Sequence, residues 1–230
     1  LFRSYVFCMN NDALVRGPGL LAEGVVGNLV KTFQVTDNET VFTFYMREGM
    51  KWSDGTPLTT EDIRFTYEDV LMNKELTPSF PQWMRSGNRV GGEPMQVEVL
   101  DDYTFRITFA EPYGGFIAQL AIVAWRGYTE LIKPKHHLTQ FHADYTPLDE
   151  LEPMIQEEGF EKGEWWRLFS SNDFANWAPL APDSVGFPRL SPWQIVTPSE
   201  VATTLDRNPY YCKVDAEGNQ LPYVDHIRTE

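Results

Sequence analysis

The sequence predicts a mixed α/β domain of the α+β kind, and three observations carry that prediction. Short β-branched and aromatic runs are interleaved with amphipathic stretches of helical period. Several of the strand-like runs pair as hairpins around short polar turns. No series of strand–helix–strand units recurs, which sets aside a doubly wound parallel sheet.

At roughly 100–200 residues per domain, the 230 residues make one large domain or two small ones. Apolar side chains make up 42%, enough for a sizeable core, which excludes a disordered chain. The net charge of −14 argues against nucleic acid and against an anionic membrane surface, because both call for a basic face. Apolar runs such as Ala121-Ile122-Val123-Ala124-Trp125 fall far short of the ~20 residues that span a bilayer. The chain opens at Leu1 without a charged n-region and apolar h-region, so no signal segment is predicted within it, and both ends read as cut. Cys8 and Cys212 form neither a disulfide framework nor a zinc pattern; one long-range bridge and two separate thiols both stay open.

The elements follow in order. Residues 1–32 are mixed and Gly-rich, with Gly17-Pro18-Gly19 as a turn. Val41 to Arg47 reads as a strand with Phe42, Phe44 and Met46 on one face; Val41, Thr43 and Tyr45 on the other are bulky too, which predicts cover on both sides. Asp54-Gly55 and Pro57 mark a turn. Thr59-Thr60-Glu61-Asp62 caps a helix whose stripe is Ile63, Tyr67, Val70 and Leu71, ending near Asn73. Residues 74–95 form a loop too long for a mere connector. Met95–Leu100 and Thr104–Phe109 predict a hairpin, and an apolar helix starts near Gly115. Helices are expected over Pro134–His142, with Pro at the first position, and over Leu148–Glu158 and Glu164–Ser171. A second hairpin is expected over Trp193–Val196 and Val201–Asp206, then a turn at Asp215–Asn219 and a strand over Tyr223–Ile227.

Chemistry-bearing patterns are sparse. His136, His137 and His142 lack the i, i+4 spacing and intervening Glu of a zinc protease helix, so no metal is expected. The acidic doublets Glu61-Asp62, Asp101-Asp102 and Glu157-Glu158 sit at a helix start, a hairpin turn and a solvated face, not across a substrate as a glycosidase requires. No nucleophile elbow and no phosphate loop occur, so no catalytic residue and no cofactor are assigned. Aromatic content stands out at 14%. Many of these rings lie in loops, where flat faces suit stacking on sugars or peptide side chains, although anchoring of the core and loops also explains them.

The stretch Val41–Val70, with Trp52-Ser53-Asp54-Gly55-Thr56-Pro57 and Thr59-Thr60-Glu61-Asp62-Ile63, resembles the family 5 extracellular solute-binding proteins. These are the oligopeptide, dipeptide, nickel and oligosaccharide receptors of ABC importers. Leu21-Ala22-Glu23, Val99–Phe105, Glu111-Pro112-Tyr113, Lys133–Leu138, Arg207–Tyr211 and Asp215–Asp225 resemble further family segments in the family's order. Cys212 stands where the family carries Trp, and Thr60 where Ala is usual.

The resemblance implies a type II periplasmic-binding-protein-like fold, incomplete because full members are much longer. Residues 1–35 would be part of the first lobe, 36–190 a small α+β subdomain, and 191–230 the return into the first lobe. It implies a monomeric, non-enzymatic receptor outside the cytoplasm, periplasmic or anchored at the cell surface. Such a receptor captures an oligosaccharide or oligopeptide and hands it to an ABC permease. The aromatic load and the Gly218-Asn219-Gln220-Leu221-Pro222-Tyr223-Val224-Asp225 segment favour oligosaccharide. The resemblance requires no disulfide. It places Phe80, Trp83 and Trp193 in segments that approach the cleft, as candidate ligand-binding residues. The alternative is a glycoside hydrolase or other sugar-active domain.

Overall fold

The computed structural model describes residues 12–17, 24–122, 130–174, 182–197 and 203–229. Cys8, Trp125 and Trp177 lie outside the described residues. Two compact units interleave along the chain. One holds Asp12–Gly49 and Leu58–Lys133; the other holds Met50–Pro57 and the residues from Pro134 onward. Their borders fall at Met50, Leu58 and Pro134.

The first unit is built on a four-stranded antiparallel sheet. Its strands are β3 (Val30–Thr36), β4 (Val41–Met46), β5 (Gln96–Asp101) and β6 (Thr104–Thr108), in the order β3-β4-β6-β5. A two-stranded ribbon of β1 (Val15–Arg16) and β2 (Val26–Gly27) precedes it. The period of two sorts the sheet cleanly. Phe42 faces Ile107 and Phe44 faces Phe105 across the β4/β6 pair, and all four are buried. The Phe44 and Phe105 rings stack with centroids 5.0 Å apart. On the other face Arg106 pairs with Glu98 at 3.1 Å, and Tyr45 donates to Gln34 at 3.1 Å. That face carries half-exposed residues, so the expectation of cover on both sides of β4 is corrected.

Helix α1 (Thr60–Phe65) starts in a capping box. The Thr59 hydroxyl accepts from the Glu61 N–H, and the Asp62 carboxylate accepts from the Thr59 N–H at 3.2 Å. Its first turn is fixed to the hairpin tip, because Thr60 donates from its amide to Asp102 and from its hydroxyl to Asp101. After Phe65 the helix widens over Thr66–Leu71 to the five-residue spacing of Met72 N–H to Tyr67 C=O. Ile63, Val70 and Leu71 are buried as the stripe predicts. Tyr67 is half-buried and donates its hydroxyl to Met95 at 2.8 Å. Helix α2 (Phe116–Ile122) completes the unit; its Phe116 meets Phe42, Phe109 and Tyr113 at 4.8–5.5 Å.

The second unit holds α3 (Lys135–Leu138), α4 (Leu148–Glu157) and α5 (Trp165–Asn172). It also holds an antiparallel sheet of β7 (Trp193–Thr197), β8 (Thr203–Arg207) and β9 (His226–Thr229), in the order β7-β8-β9. Pro134 caps α3 rather than opening it, and the helix tightens after Leu138 into a single 3₁₀ turn. His142 is fully buried, with its ring against Trp165 at 4.7 Å and Phe169 at 5.6 Å. The last strand starts three residues later than Tyr223, because the Tyr223 hydroxyl is held by Asp215 and the pairing with β8 begins at His226. Among the described residues no helix is long and apolar enough to cross a membrane.

Candidate functional site

The three residues that the sequence marks out for ligand binding fall in both units. Phe80 and Trp83 belong to the first, Trp193 to the second. The loop that carries Phe80 and Trp83 has little regular structure, so its shape comes from side chains bonding to backbone. Asn73 accepts from the amides of Glu75 and Leu76, and Thr77 donates to the Val70 carbonyl. Arg85 reaches back to the carbonyls of Phe80 and Gly92 at 3.2 and 3.0 Å. A side chain on Gly92 would stand 2.1 Å from the Ser86 carbonyl oxygen, so only glycine lets the loop close there.

Within that frame Phe80 is buried beneath the Arg85 guanidinium, 5.4 Å from its ring centre. Trp83 is half-buried; its indole N–H donates to the Glu130 carboxylate at 2.7 Å, and its ring lies within 19° of parallel to Phe116. Trp193 is half-buried, packs on Ile195 and Leu205 beside Ile227, and directs its indole N–H toward the Val224 carbonyl at 3.4 Å. Each ring therefore has an anchoring role. Trp83 and Trp193 also keep part of their surface in solvent.

A second constellation, which sequence reasoning took only for a turn and an ordinary helix start, surrounds Trp52–Thr56 in the second unit. Trp52 is fully buried, and its amide donates to the Thr56 carbonyl at 2.8 Å. Asp54 accepts from the Thr56 amide at 2.9 Å through one oxygen and meets His136 Nε2 at 2.8 Å through the other. Burial pushes the Asp54 carboxyl up, but the Thr56 N–H and His136 outweigh it and leave it below the usual carboxylate range. The Tyr210 ring lies 3.1 Å from where a Gly55 side chain would begin, and Lys51 sits 5.3 Å from the same ring centre.

Ser53 binds Arg189 twice. Its amide donates to the Arg189 carbonyl and its hydroxyl accepts from the Arg189 amide, both at 3.0 Å. The Arg189 guanidinium is buried, 5.4 Å from the centre of the Phe187 ring, and burial pulls its pKa down to about 10. Phe187 also meets His137 at 5.2 Å and Phe174 at 5.8 Å. Burial and the neighbouring His136 push the His137 pKa down, and Asp54 offsets part of that. The three histidines of this stretch thus occupy separate environments. Among the described residues no group of three His, Cys, Asp or Glu is placed to hold a metal. Cys212 is exposed.

The Asp215–Asp225 segment folds on itself. Asp215 accepts from the amides of Glu217 and Asn219, from the Asn219 side chain and from the Tyr223 hydroxyl. Gln220 ties it to the Pro209 and Tyr211 carbonyls at 2.8 and 3.0 Å. Tyr223 and Val224 are left exposed.

Comparison with known proteins follows this architecture. The chain is 27% identical over 205 residues to the periplasmic alpha-galactoside-binding protein of Rhizobium meliloti, covering 87% of this chain and 24% of that protein. It is 36% identical over 81 residues to the periplasmic oligopeptide-binding protein OppA of Salmonella typhimurium, covering 31% of this chain and 15% of OppA. It superposes on a solved oligopeptide-binding protein OppA with a TM-score of 0.77 and 36% identity, over 97% of this chain and 32% of that one. The periplasmic binding protein MelB of Agrobacterium fabrum, solved with stachyose, shares the fold at a TM-score of 0.69 and 21% identity, over 98% of this chain and 30% of that one. The chain therefore spans between 15% and 32% of the length of these relatives. Matched from residue 24 to residue 230 by the model of the bacterial extracellular solute-binding proteins, family 5 middle, the chain belongs to that family.

Proposed function

We propose that this chain is part of an extracytoplasmic receptor of an ABC importer, which captures an oligosaccharide or oligopeptide and delivers it to a membrane permease without covalent chemistry. The observation that carries the reading is the family match from residue 24 to residue 230. The relatives named alpha-galactoside-binding and oligopeptide-binding support the two solute classes. Phe80, Trp83 and Trp193 are the proposed aromatic side of the ligand site. Trp83 is the strongest of them, since one face and one edge are anchored while part of the ring meets solvent. Assignment of residues 1–35 and 191–230 to a first lobe, and of 36–190 to a small subdomain, belongs to the same proposal. So do a monomeric state and a periplasmic or surface-anchored location.

The test is calorimetric titration of the full-length protein with stachyose and with short peptides, followed also by tryptophan fluorescence. Saturable binding of one class without turnover supports the reading. Hydrolysis of a chromogenic glycoside above blank would instead favour a sugar-active enzyme. Trp83→Ala should weaken binding several-fold, since a stacked ring is worth on the order of 1 kcal/mol beyond its area. Unchanged affinity with a lowered melting temperature would make the ring structural.

A further inference from the structure

A guanidinium taken out of water needs a carboxylate or a full set of acceptors for its five N–H groups. Arg189 has a thin supply. The residue is 2% exposed. Nη1 donates to the Phe174 carbonyl at 3.3 Å, long for a charge-assisted bond. Nη2 is buried and finds no acceptor among the described residues. No ion pair with a carboxylate accompanies it among the described residues. The aromatic face of Phe187 attracts the charge but accepts no N–H in the guanidinium plane.

The placement is nonetheless firm. Both backbone groups of Arg189 are bonded to Ser53, and Ser53 sits in the turn closed by the Trp52–Thr56 hydrogen bond. The turn is held in its own right by Asp54, whose carboxylate is already engaged by Thr56 and His136. His137, on the far side of Phe187, is pushed toward its neutral form, so it offers no competing positive charge at neutral pH. A buried cation with an open donor and no counter-charge is the half of a pair that a ligand completes.

We propose that Arg189 anchors an anion subsite, in which its Nη2 edge takes a small oxyanion of the carboxylate type. A carboxylate there supplies the missing acceptor and neutralises the charge in one step. Arg189 lies in an irregular connection rather than in a sheet or helix ladder, and its backbone is held by Ser53. The anion has two sources: the carboxylate of a captured peptide or acidic sugar, or a free small ion. The first source rests on the receptor reading above; the second does not.

The experiment measures thermal stability of the full-length protein against sodium acetate, with sodium chloride at matched ionic strength as control, in wild type, Arg189→Lys and Arg189→Met. The expected result is a saturable acetate-specific rise in wild type, weakened in Arg189→Lys and lost in Arg189→Met. The same modest salt response in wild type and Arg189→Met overturns the subsite. Should Arg189→Met fail to fold, the arginine Nε–Hε spectrum of the wild type decides: the Arg189 resonance moves with acetate and not with chloride, or the subsite is wrong.

Tri-alanine against its C-terminal amide separates the sources. If the free acid binds about ten-fold or more tightly than the amide in wild type only, the solute carboxylate is the occupant. If acid and amide bind alike while acetate acts through Arg189, the occupant is a free ion. Binding of stachyose or the amide, alike in wild type and Arg189→Met, with no Arg189-dependent acetate effect, removes the subsite and leaves the receptor reading standing.

Discussion

The two larger sheets of the molecule share antiparallel geometry and differ in what covers them. The four-stranded sheet of the first unit has Phe42, Phe44, Phe105 and Ile107 on one face, and Phe42 continues into the rings of Phe109 and Phe116. The three-stranded sheet of the second unit buries Ile195 and Leu205, flanked by the half-buried Trp193 and Ile227. Its β7 ends with Val196 exposed. Backbone hydrogen bonding is therefore similar in the two, while apolar area removed from water is not. Local stability follows buried apolar contact more than strand pairing. The β4/β6 amides should accordingly exchange much more slowly than those of β7 and β9.

Substitutions widen or erase that contrast. Phe44→Ala removes a fully buried ring from its stack on Phe105, and should cost about 3–5 kcal/mol in chemical denaturation. A loss below about 1 kcal/mol would mean the ring face is not the core. Leu205→Ala strikes the other sheet at its most buried position. It should cost about 2 kcal/mol, the low end for a core leucine, because a thinly covered site relaxes into the gap. Equal losses at the two positions would erase the contrast.

Thr59→Ala tests a boundary of the first unit rather than its centre. Loss of the capping hydroxyl should cost about 1 kcal/mol, with Thr59→Ser restoring most of it in the same melt.

The smallest effect is a pH dependence confined to the second unit. The His137 pKa is depressed in the folded state from its ordinary 6.5. The unfolded chain therefore takes up the proton first as pH falls. The stability that neutral His137 confers is present above pH 6.5 and is lost progressively as the pH falls below it toward the folded value. His137→Gln should flatten the melting temperature between pH 7 and pH 5 relative to wild type. An unchanged profile would assign that slope to another group.

Sequence legibility tracks how local the causes are. The run from Val41 to Leu71 was readable because its strand alternation, Asp-Gly turn and capping box each involve residues within a few positions. β3 was not, since Val30–Thr36 is an edge strand with a single buried residue and little apolar signal. The wide turn over Thr66–Leu71 leaves no mark on a stripe counted at helical period. For the candidate site, the loop holding Phe80 and Trp83 was located, but the Trp83–Glu130 bond spans 47 positions and no spacing announces it. Arg189 was invisible for the same reason: an arginine after Phe-Pro looks solvated until Ser53, Phe174 and Phe187 are seen around it.

The excursion Met50–Pro57 has a consequence for the order in which the molecule is made. Ser53 leaves the ribosome 136 residues before Arg189, its hydrogen-bond partner. At about 5–20 residues per second, that is a delay of roughly 7–27 s. Asp12–Gly49 of the first unit are already made when it begins, and Leu58–Lys133 are synthesised within it. Trp52, which ends fully buried, spends the first part of it with its later ring neighbour His136 still unmade, and Ser53 spends all of it without Arg189. Nascent chains in which Lys133 has just cleared the ribosome should therefore protect the first unit from protease and be cut within the eight-residue excursion.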